Sequence, residues 1–279
     1  PPIAPPIDQR KPHTTFMHNL SQTLLALRAQ QPLVHCLTNG VALETTANLL
    51  LALGARPVMA EALEEVAEVV ASAQGLLVNL GMFSTGKQRA AERAAEKAQA
   101  RGLPWVLDPV GVGATELRRN AALRLLGYGP AIIRGNASEI AALAQGGAMS
   151  GVDSSKTPDG VLSSAQSLAR EANCVVAVTG EVDLVTDGKR IFRIAGGDQL
   201  LTRMTGAGCA LSAVVAAASA VTSEPLAATV HALAFYGLAG RVAGQAARGP
   251  GSFKSRFIDE IYGLTPQALD AAALIRTVA

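Results

Sequence analysis

The stretch from Gly75 to Asp108, GLLVNLGMFSTGKQRAAERAAEKAQARGLPWVLD, decides the fold class. Gly75–Leu80 is a short apolar run that reads as a buried strand. Thr85–Arg101 is helical in pattern, with alanines recurring among charged residues. Trp105–Leu107 is again a short buried strand. A strand, a helix and a second strand in this order are the repeating unit of a parallel sheet.

Working outward toward the N-terminus, the same alternation continues. Leu33–Leu37 (LVHCL) reads as a strand with Thr38-Asn39-Gly40 as its exit turn, Val41–Leu53 as a helix ended by Gly54, Pro57–Met59 as a strand and Ala62–Ala73 as a helix. A further helix is expected over Thr14–Gln30, stopped by Pro32. On the other side come a helix over Glu116–Leu126, a strand at Ala131–Ile133 and a helix at Ala137–Ala144. Gly146–Pro158 is Gly/Ser/Thr-rich and reads as a loop. Then follow a helix over Val161–Ala172 and a strand at Cys174–Val178. A hairpin is expected around Asp187-Gly188, a dipeptide suited to a tight turn between strands. Helices are expected from Gly208 to Val221, from Leu226 to Ala247, and in two short pieces from Lys254. Strands alternating with helices give a mainly parallel sheet covered on both faces, joined by right-handed crossovers. The proline-rich residues 1–16 read as a disordered tail or expression remnant, and 17–279 as a single domain.

The totals fit that class. The chain has 279 residues, 49% hydrophobic and 16% charged, with a net charge of +2. Nothing in the charge distribution argues for nucleic acid. The three cysteines, Cys36, Cys174 and Cys209, are odd in number, far apart and without a CxxC pair. That pattern reads as reduced thiols in a cytoplasmic protein rather than a disulfide frame or zinc site. No signal-peptide pattern opens the chain, and the apolar run Gly208–Val221 is too short for a membrane span, so no membrane partner is expected.

In such sheets ligands gather at the carboxyl ends of the strands. That rule selects Asn39, Met59, Asn79 with Gly81, Asp108, Arg134 with Asn136, and Thr179 with Gly180. Met204-Thr-Gly-Ala-Gly-Cys-Ala-Leu211 adds a glycine-rich turn feeding a helix. Gly206 and Gly208 leave backbone N–H groups bare for an anion, and Cys209 falls in the first helical turn, where a thiol's pKa tends to fall. The plain alternative is a tight turn before a core helix, with Cys209 a small hydrophobe. Asp108, before Pro109, is either a metal-ligand holder or the start of a turn. Asn136 and Glu139 have capping-box spacing, while Arg134 and Glu139 also suit phosphate and magnesium. Gly81–Gln88 (GMFSTGKQ) nearly matches a P-loop, but Gln88 stands where a hydroxyl must reach magnesium. Lys87 is then a solvated first-turn lysine. His35, inside an apolar strand, reads as a core histidine; His13, His18 and His231 show no partner spacing. No GxSxG elbow and no HExxH motif occur.

Six ordered motifs together carry a resemblance: Leu33–Asn39, Gly54–Met59, Asp108–Ala114, Arg134–Glu139, Val178–Gly180 and Thr205–Leu211. In this set the chain resembles the hydroxyethylthiazole kinases, members of the ribokinase-like superfamily, from about residue 20 to the GPGSF segment at Gly249–Phe253 and beyond. The resemblance implies a ribokinase-like three-layer α/β/α fold with a central, mainly parallel sheet. It implies transfer of the γ-phosphate of ATP to the hydroxyl of 4-methyl-5-(2-hydroxyethyl)thiazole, a thiamine salvage step, with Mg2+ as cofactor. Carried over by position, Arg134, Thr179 and Asn136 fall to ATP. Met59 and Gly206 fall to the thiazole, with Asn39 and Gly81 nearby, and Asp108 and Glu139 fall to the metal. Cys209 lies near the acceptor hydroxyl, where the wider superfamily carries Asp, with Gly206 and Gly208 in the anion hole; a thiol or thiolate at a helix start is a base candidate that can orient the hydroxyl and take its proton. A homotrimer with sites between subunits is also implied. Gln199 and Ala207 depart from the family pattern in the segment leading to that hole. The competing readings are another ribokinase-like kinase of a pyrimidine, sugar or vitamin alcohol, a non-catalytic thiazole or nucleotide sensor, and a P-loop NTPase at Gly81–Lys87.

Overall fold

Six strands run parallel in the computed structural model, which describes residues 11–146, 157–272 and 274–278. They are β1 (Leu33–Leu37), β2 (Arg56–Val58), β3 (Gly75–Asn79), β4 (Trp105–Asp108), β5 (Ile132–Asn136) and β6 (Val175–Thr179). Three more, β7 (Val182–Thr186), β8 (Ile191–Ala195) and β9 (Ile275–Val278), extend the sheet antiparallel. The order across the sheet is β2-β1-β3-β4-β5-β6-β7-β8-β9.

Because successive side chains of a strand point to opposite faces, each buried strand feeds two cores. Val34, Leu77, Val106, Ile132 and Ala177 pack on one face, and Leu76, Val78, Leu107, Ile133 and Val176 on the other. The first face is covered by α1 (Lys11–Gln30), α2 (Leu43–Leu53), α8 (Ala207–Ser219), α9 (Pro225–Ala246), α10 (Pro250–Tyr262) and α11 (Pro266–Ala271). The second is covered by α3 (Val66–Ser72), α4 (Thr85–Arg101), α5 (Glu116–Leu126), α6 (Ala137–Ala144) and α7 (Leu162–Glu171). This is the expected three-layer α/β/α arrangement. In α4 the buried residues are Ala90, Ala91, Ala94, Ala95 and Ala98, one stripe at helical spacing. Ser84 caps that helix by accepting from the Lys87 N–H, and Gly102 closes it in the left-handed conformation.

Helix α8 lies against β1, β3 and β4. Its residues from Ala210 to Ser219 are all buried, and none is larger than Leu. The small side chains let its backbone come close to the sheet: a Cβ on Gly75 would stand 2.7 Å from the Ala216 carbonyl oxygen. That contact fixes where the helix begins, and so where its open N–H groups point. Full burial of Phe235, Phe253 and Phe257 on this face stabilises the layer by roughly 1.5–3 kcal/mol each.

Several boundaries differ from expectation. The helix expected from Thr14 begins at Lys11, so residues 11–16, assigned to the tail, lie within it. Pro12 falls in its first turn, where the missing N–H is not needed. Helix α3 starts at Val66 rather than Ala62, α2 at Leu43 rather than Val41, and α10 at Pro250 rather than Lys254. Pro250 sits at the first helical position, which its fixed φ suits. A 3-10 turn over Gln199–Arg203 and the edge strand β9 were not anticipated. Most of the loop expected at Gly146–Pro158 lies outside the described residues. One described helix, α9, is long and apolar enough to cross a membrane, but 83% of its apolar window is buried inside the molecule, as in a core helix.

Candidate active site

The carboxyl ends of β1, β3, β4, β5 and β6 and the start of α8 converge on one hydrogen-bonded cluster. The wholly buried Asp108 carboxylate is its centre. Its Oδ2 accepts from Asn79 Nδ2 at 2.7 Å and from Ser212 Oγ at 2.8 Å. Asn79 Oδ1 in turn accepts from Asn39 Nδ2 and from the Gly81 N–H, both at 2.9 Å. Asn39 Nδ2 also reaches Cys209 Sγ at 3.2 Å. Arg134, almost fully buried, donates from Nη1 to the Gly208 carbonyl at 3.0 Å and from Nη2 to Thr179 Oγ1, and its Nη1 lies 3.9 Å from Asp108 Oδ2.

Three buried polar atoms of this cluster have no partner: Asp108 Oδ1, Arg134 Nε and Asn39 Oδ1. Buried polar groups are nearly always paired in a finished core, so an orphan acceptor beside an orphan cationic donor marks a place built for something else. Burial raises the Asp108 carboxyl to about 6, with Arg134, Ser212 and Asn79 pulling against it and Glu139 adding to it.

Gly206 sets the entry to α8. Its φ is +80° and a Cβ there would stand 3.0 Å from Ala42 Cα, so the left-handed turn and the close approach both require glycine. Ala207 N–H bonds the Met204 carbonyl and Ala210 N–H bonds the Gly206 carbonyl. Between them the Gly208 and Cys209 N–H groups lie ahead of any helical acceptor, as the first turn of a helix dictates. The thiol does not behave as expected for a helix start. Burial, then the Asp108 charge, pushes the Cys209 pKa up, against the pull of Asn39, Asn79 and Arg134. Desolvation and a neighbouring carboxylate outweigh the helix dipole here.

The remaining candidates fall in different settings. Gly81 packs so tightly that a Cβ would stand 2.5 Å from Asn39 Nδ2. Met59, just past the edge strand β2, is half-buried against the α8-side core. Asn136 is exposed and caps α6: its Oδ1 accepts from Glu139 N at 2.9 Å, and Glu139 Oε2 accepts from Asn136 N at 2.9 Å. The expected capping box is therefore present. Glu139 Oε1 takes the Gly111 N–H at 3.0 Å, tying the turn after β4 to α6. Lys87 is engaged by the Thr38 carbonyl and by Glu61, each at 3.2 Å. His35 is a buried core residue whose Nε2 meets the Ala60 carbonyl at 2.7 Å, and burial lowers its pKa.

Ser212 and Tyr236 were missed. Ser212 stands three residues after Cys209 on α8, so helical spacing places both on the side facing the strand ends. Tyr236 comes from α9, far along the chain, and no local motif marks it.

A cleft of about 330 Å³ opens beside the cluster, lined by Arg134, Thr179, Asp183, Leu201, Gly208 and Tyr236 among others. Burial raises Asp183 to about 6, with the Gly180 N–H and Arg134 opposing. The donor set also bears on a metal ion. Among the described residues no three His, Cys, Asp or Glu side chains cluster into a cage. A magnesium ion that keeps several waters and leans on phosphate oxygens needs only one or two carboxylates, and the orphan Asp108 Oδ1 with nearby Glu139 fits that requirement.

The model of the hydroxyethylthiazole kinase family matches residues 24–267. A hydroxyethylthiazole kinase of Cereibacter sphaeroides is 48% identical over 248 residues, covering 88% of this chain and 94% of that one. The solved hydroxyethylthiazole kinase of Pyrococcus horikoshii OT3 superimposes with a TM-score of 0.87 at 41% identity, over 93% of this chain and 99% of the other. A ribokinase-like superfamily protein from Enterococcus faecalis V583 shares the fold, with a TM-score of 0.60 at 13% identity, over 86% and 89% of the two chains.

Proposed function

The chain belongs to the hydroxyethylthiazole kinase family, and from that premise we propose that its strand-end cluster moves the γ-phosphoryl group of ATP onto the hydroxyl of 4-methyl-5-(2-hydroxyethyl)thiazole. The observation that carries the reading is that an orphan carboxylate oxygen, an orphan guanidinium nitrogen and two open N–H groups belong to one strand-end cluster. Phosphoryl transfer goes through a loose transition state, in which positioning and charge neutralisation do most of the work.

Arg134 and Thr179 face the cleft and suit the nucleotide phosphates, and Asn136, exposed at the end of β5 beside Thr179, is assigned to the nucleotide with them. The Gly208 and Cys209 N–H groups, presented by the Gly206 turn, hold the charge that develops on the transferred group. Asn39, Gly81, Gly206 and Met59 border the side where the thiazole would lie. Cys209 Sγ, fixed by Asn39, orients the acceptor hydroxyl. Its raised pKa makes it a neutral thiol at rest, so it orients rather than deprotonates the alcohol, whose proton leaves late in a loose transition state and passes to an oxygen of the transferred phosphoryl group or to water. Asp108 and Glu139 would hold Mg2+, which when bound offsets phosphate charge. Around the mouth near Asn39 and Gly81, Val41, Leu43 and Met82 are exposed apolar residues. They support a homotrimer whose sites lie between subunits, and Val41→Glu with Met82→Glu is expected to lower the mass seen by light scattering.

The test is an assay of purified protein with ATP, Mg2+ and the thiazole alcohol. A phosphorylated thiazole formed only with all three is expected. ATP turnover that ignores the alcohol, or phosphorylation of a pyrimidine or sugar alcohol in preference to it, overturns the reading.

A further inference from the structure

Tyr236 lies on α9, buried at the edge of the cleft, with its ring edge-on to Phe257 at 4.7 Å and Phe257 stacked on Phe253 at 5.7 Å. Its hydroxyl donates to the Ala207 carbonyl at 2.6 Å. The next carbonyl, that of Gly208, receives Arg134 Nη1 at 3.0 Å. In an α-helix both carbonyls already accept from the N–H groups four residues on, so these side-chain donors are additional.

A peptide unit joins the carbonyl of one residue to the N–H of the next. The Ala207 carbonyl thus shares its amide with the Gly208 N–H, and the Gly208 carbonyl shares its amide with the Cys209 N–H. These are the two N–H groups of α8 left open between the bonded Ala207 and Ala210. A donor on an amide oxygen draws charge from the nitrogen through the resonance of the peptide bond and makes its N–H a stronger donor in turn.

The geometry points to Tyr236 as a positioning residue for phosphoryl transfer, acting through the Ala207–Gly208 peptide to orient and strengthen the Gly208 N–H. Arg134 does the same for the Cys209 N–H through the following peptide, besides facing the cleft itself. The Tyr236 ring is held edge-on by Phe257, itself backed by Phe253, and burial pushes its ionisation up, so the hydroxyl keeps its proton. The orphan atoms Asp108 Oδ1 and Arg134 Nε, on side chains next to this turn, are a second and independent observation in favour of a ligand here. The inference deepens the kinase reading and rests on it for its kinetic consequence.

Tyr236→Phe removes the hydroxyl and keeps the ring. Losing one neutral hydrogen bond is expected to lower kcat about three- to tenfold, with KM for ATP and for the thiazole alcohol within about twofold. Affinity for ADP with aluminium fluoride and the alcohol, a mimic of the transferring group, is expected to fall by the same factor, and affinity for ADP alone to stay. In the protein without substrates, the Gly208 amide proton is expected to move upfield while that of Ala210 does not. That readout needs no turnover, so it separates failure of this inference from failure of the kinase reading. Should the Phe variant not fold, 3-fluorotyrosine at 236, a stronger donor of the same shape, is expected to move the Gly208 amide downfield. Unchanged kcat and analogue affinity, or an unmoved Gly208 amide, overturns the inference. A rise in KM with kcat intact does so too, since it assigns Tyr236 to ground-state binding.

Discussion

Ser212→Ala isolates one bond of the Asp108 cluster. The hydroxyl is wholly buried and donates to Asp108 Oδ2 at 2.8 Å, while Oδ1 already lacks a partner. Alanine fits an α8 built of small residues, so the variant removes the donor without opening a large cavity. A hydrogen bond to a charged group is worth ~1.5–3 kcal/mol, and one between neutral groups ~0.5–1.5 kcal/mol. Burial raises Asp108 to about 6, above its unfolded value. The proton on Asp108 therefore stabilises the fold at low pH, and that contribution is lost as pH rises through about 6. The donors matter most above that point, where the carboxylate is charged. Urea unfolding is expected to show a loss of ~1.5–3 kcal/mol at pH 8, shrinking to ~0.5–1.5 kcal/mol at pH 5, with an unchanged m value. The difference between those two losses is expected to move the acid limb of kcat/KM up by about one pH unit. Equal losses at both pH values, or a loss under ~0.5 kcal/mol at pH 8, would refute the assignment of a charged Asp108 held by Ser212.

Cys209→Ala is expected to lower kcat while leaving the thiazole KM within about threefold, since the thiol orients the hydroxyl more than it binds the ring; steady-state kinetics checks it, and an unchanged kcat removes the role. Gly206→Ala places a Cβ at φ +80° and 3.0 Å from Ala42 Cα, so thermal unfolding is expected to show a loss of at least ~1–2 kcal/mol together with a large loss of activity. Lys87→Ala is expected to keep kcat within about threefold, because Glu61 and the Thr38 carbonyl already engage the ammonium; abolished activity would restore the P-loop reading. Asp183 is raised to about 6 by burial, so its charged form is the costly one. Asp183→Asn is expected to raise Tm relative to the unaltered chain at pH 7.5 and to lose that advantage near pH 4.5.

The alternation from Leu33 to Thr179 was legible because each parallel strand is a short apolar run between polar ends, and the strand-end rule then named Asn39, Asn79, Asp108, Arg134 and Thr179 before any contact was known. Those five do meet. What escaped the sequence was of two kinds. Edge strand β9 is four residues, Ile275–Val278, with too little alternation to stand out. Ser212 shares a helix face with Cys209, but its partner Asp108 lies 104 positions away, and Tyr236 owes its place to the packing of α9 on α8, which no spacing within α9 announces. The expected fall in the Cys209 pKa failed for a similar reason: the local cue, a helix start, was read correctly, but burial and Asp108 are tertiary facts.

Helix α1 carries a consequence for how the chain is made. Its Leu20, Leu24 and Leu27 are buried in the same core as α9 and α11, and Ser21 bonds the Pro266 carbonyl from 245 positions away. At synthesis rates of ~5–20 residues per second, α1 waits about 12–50 s for that partner to be translated. Over this interval the side of α1 that packs on α11 stands open to solvent. A ribosome stalled before residue 266 is therefore expected to display a nascent chain that chaperones hold and proteases cut near α1, and release of the last segment to end both.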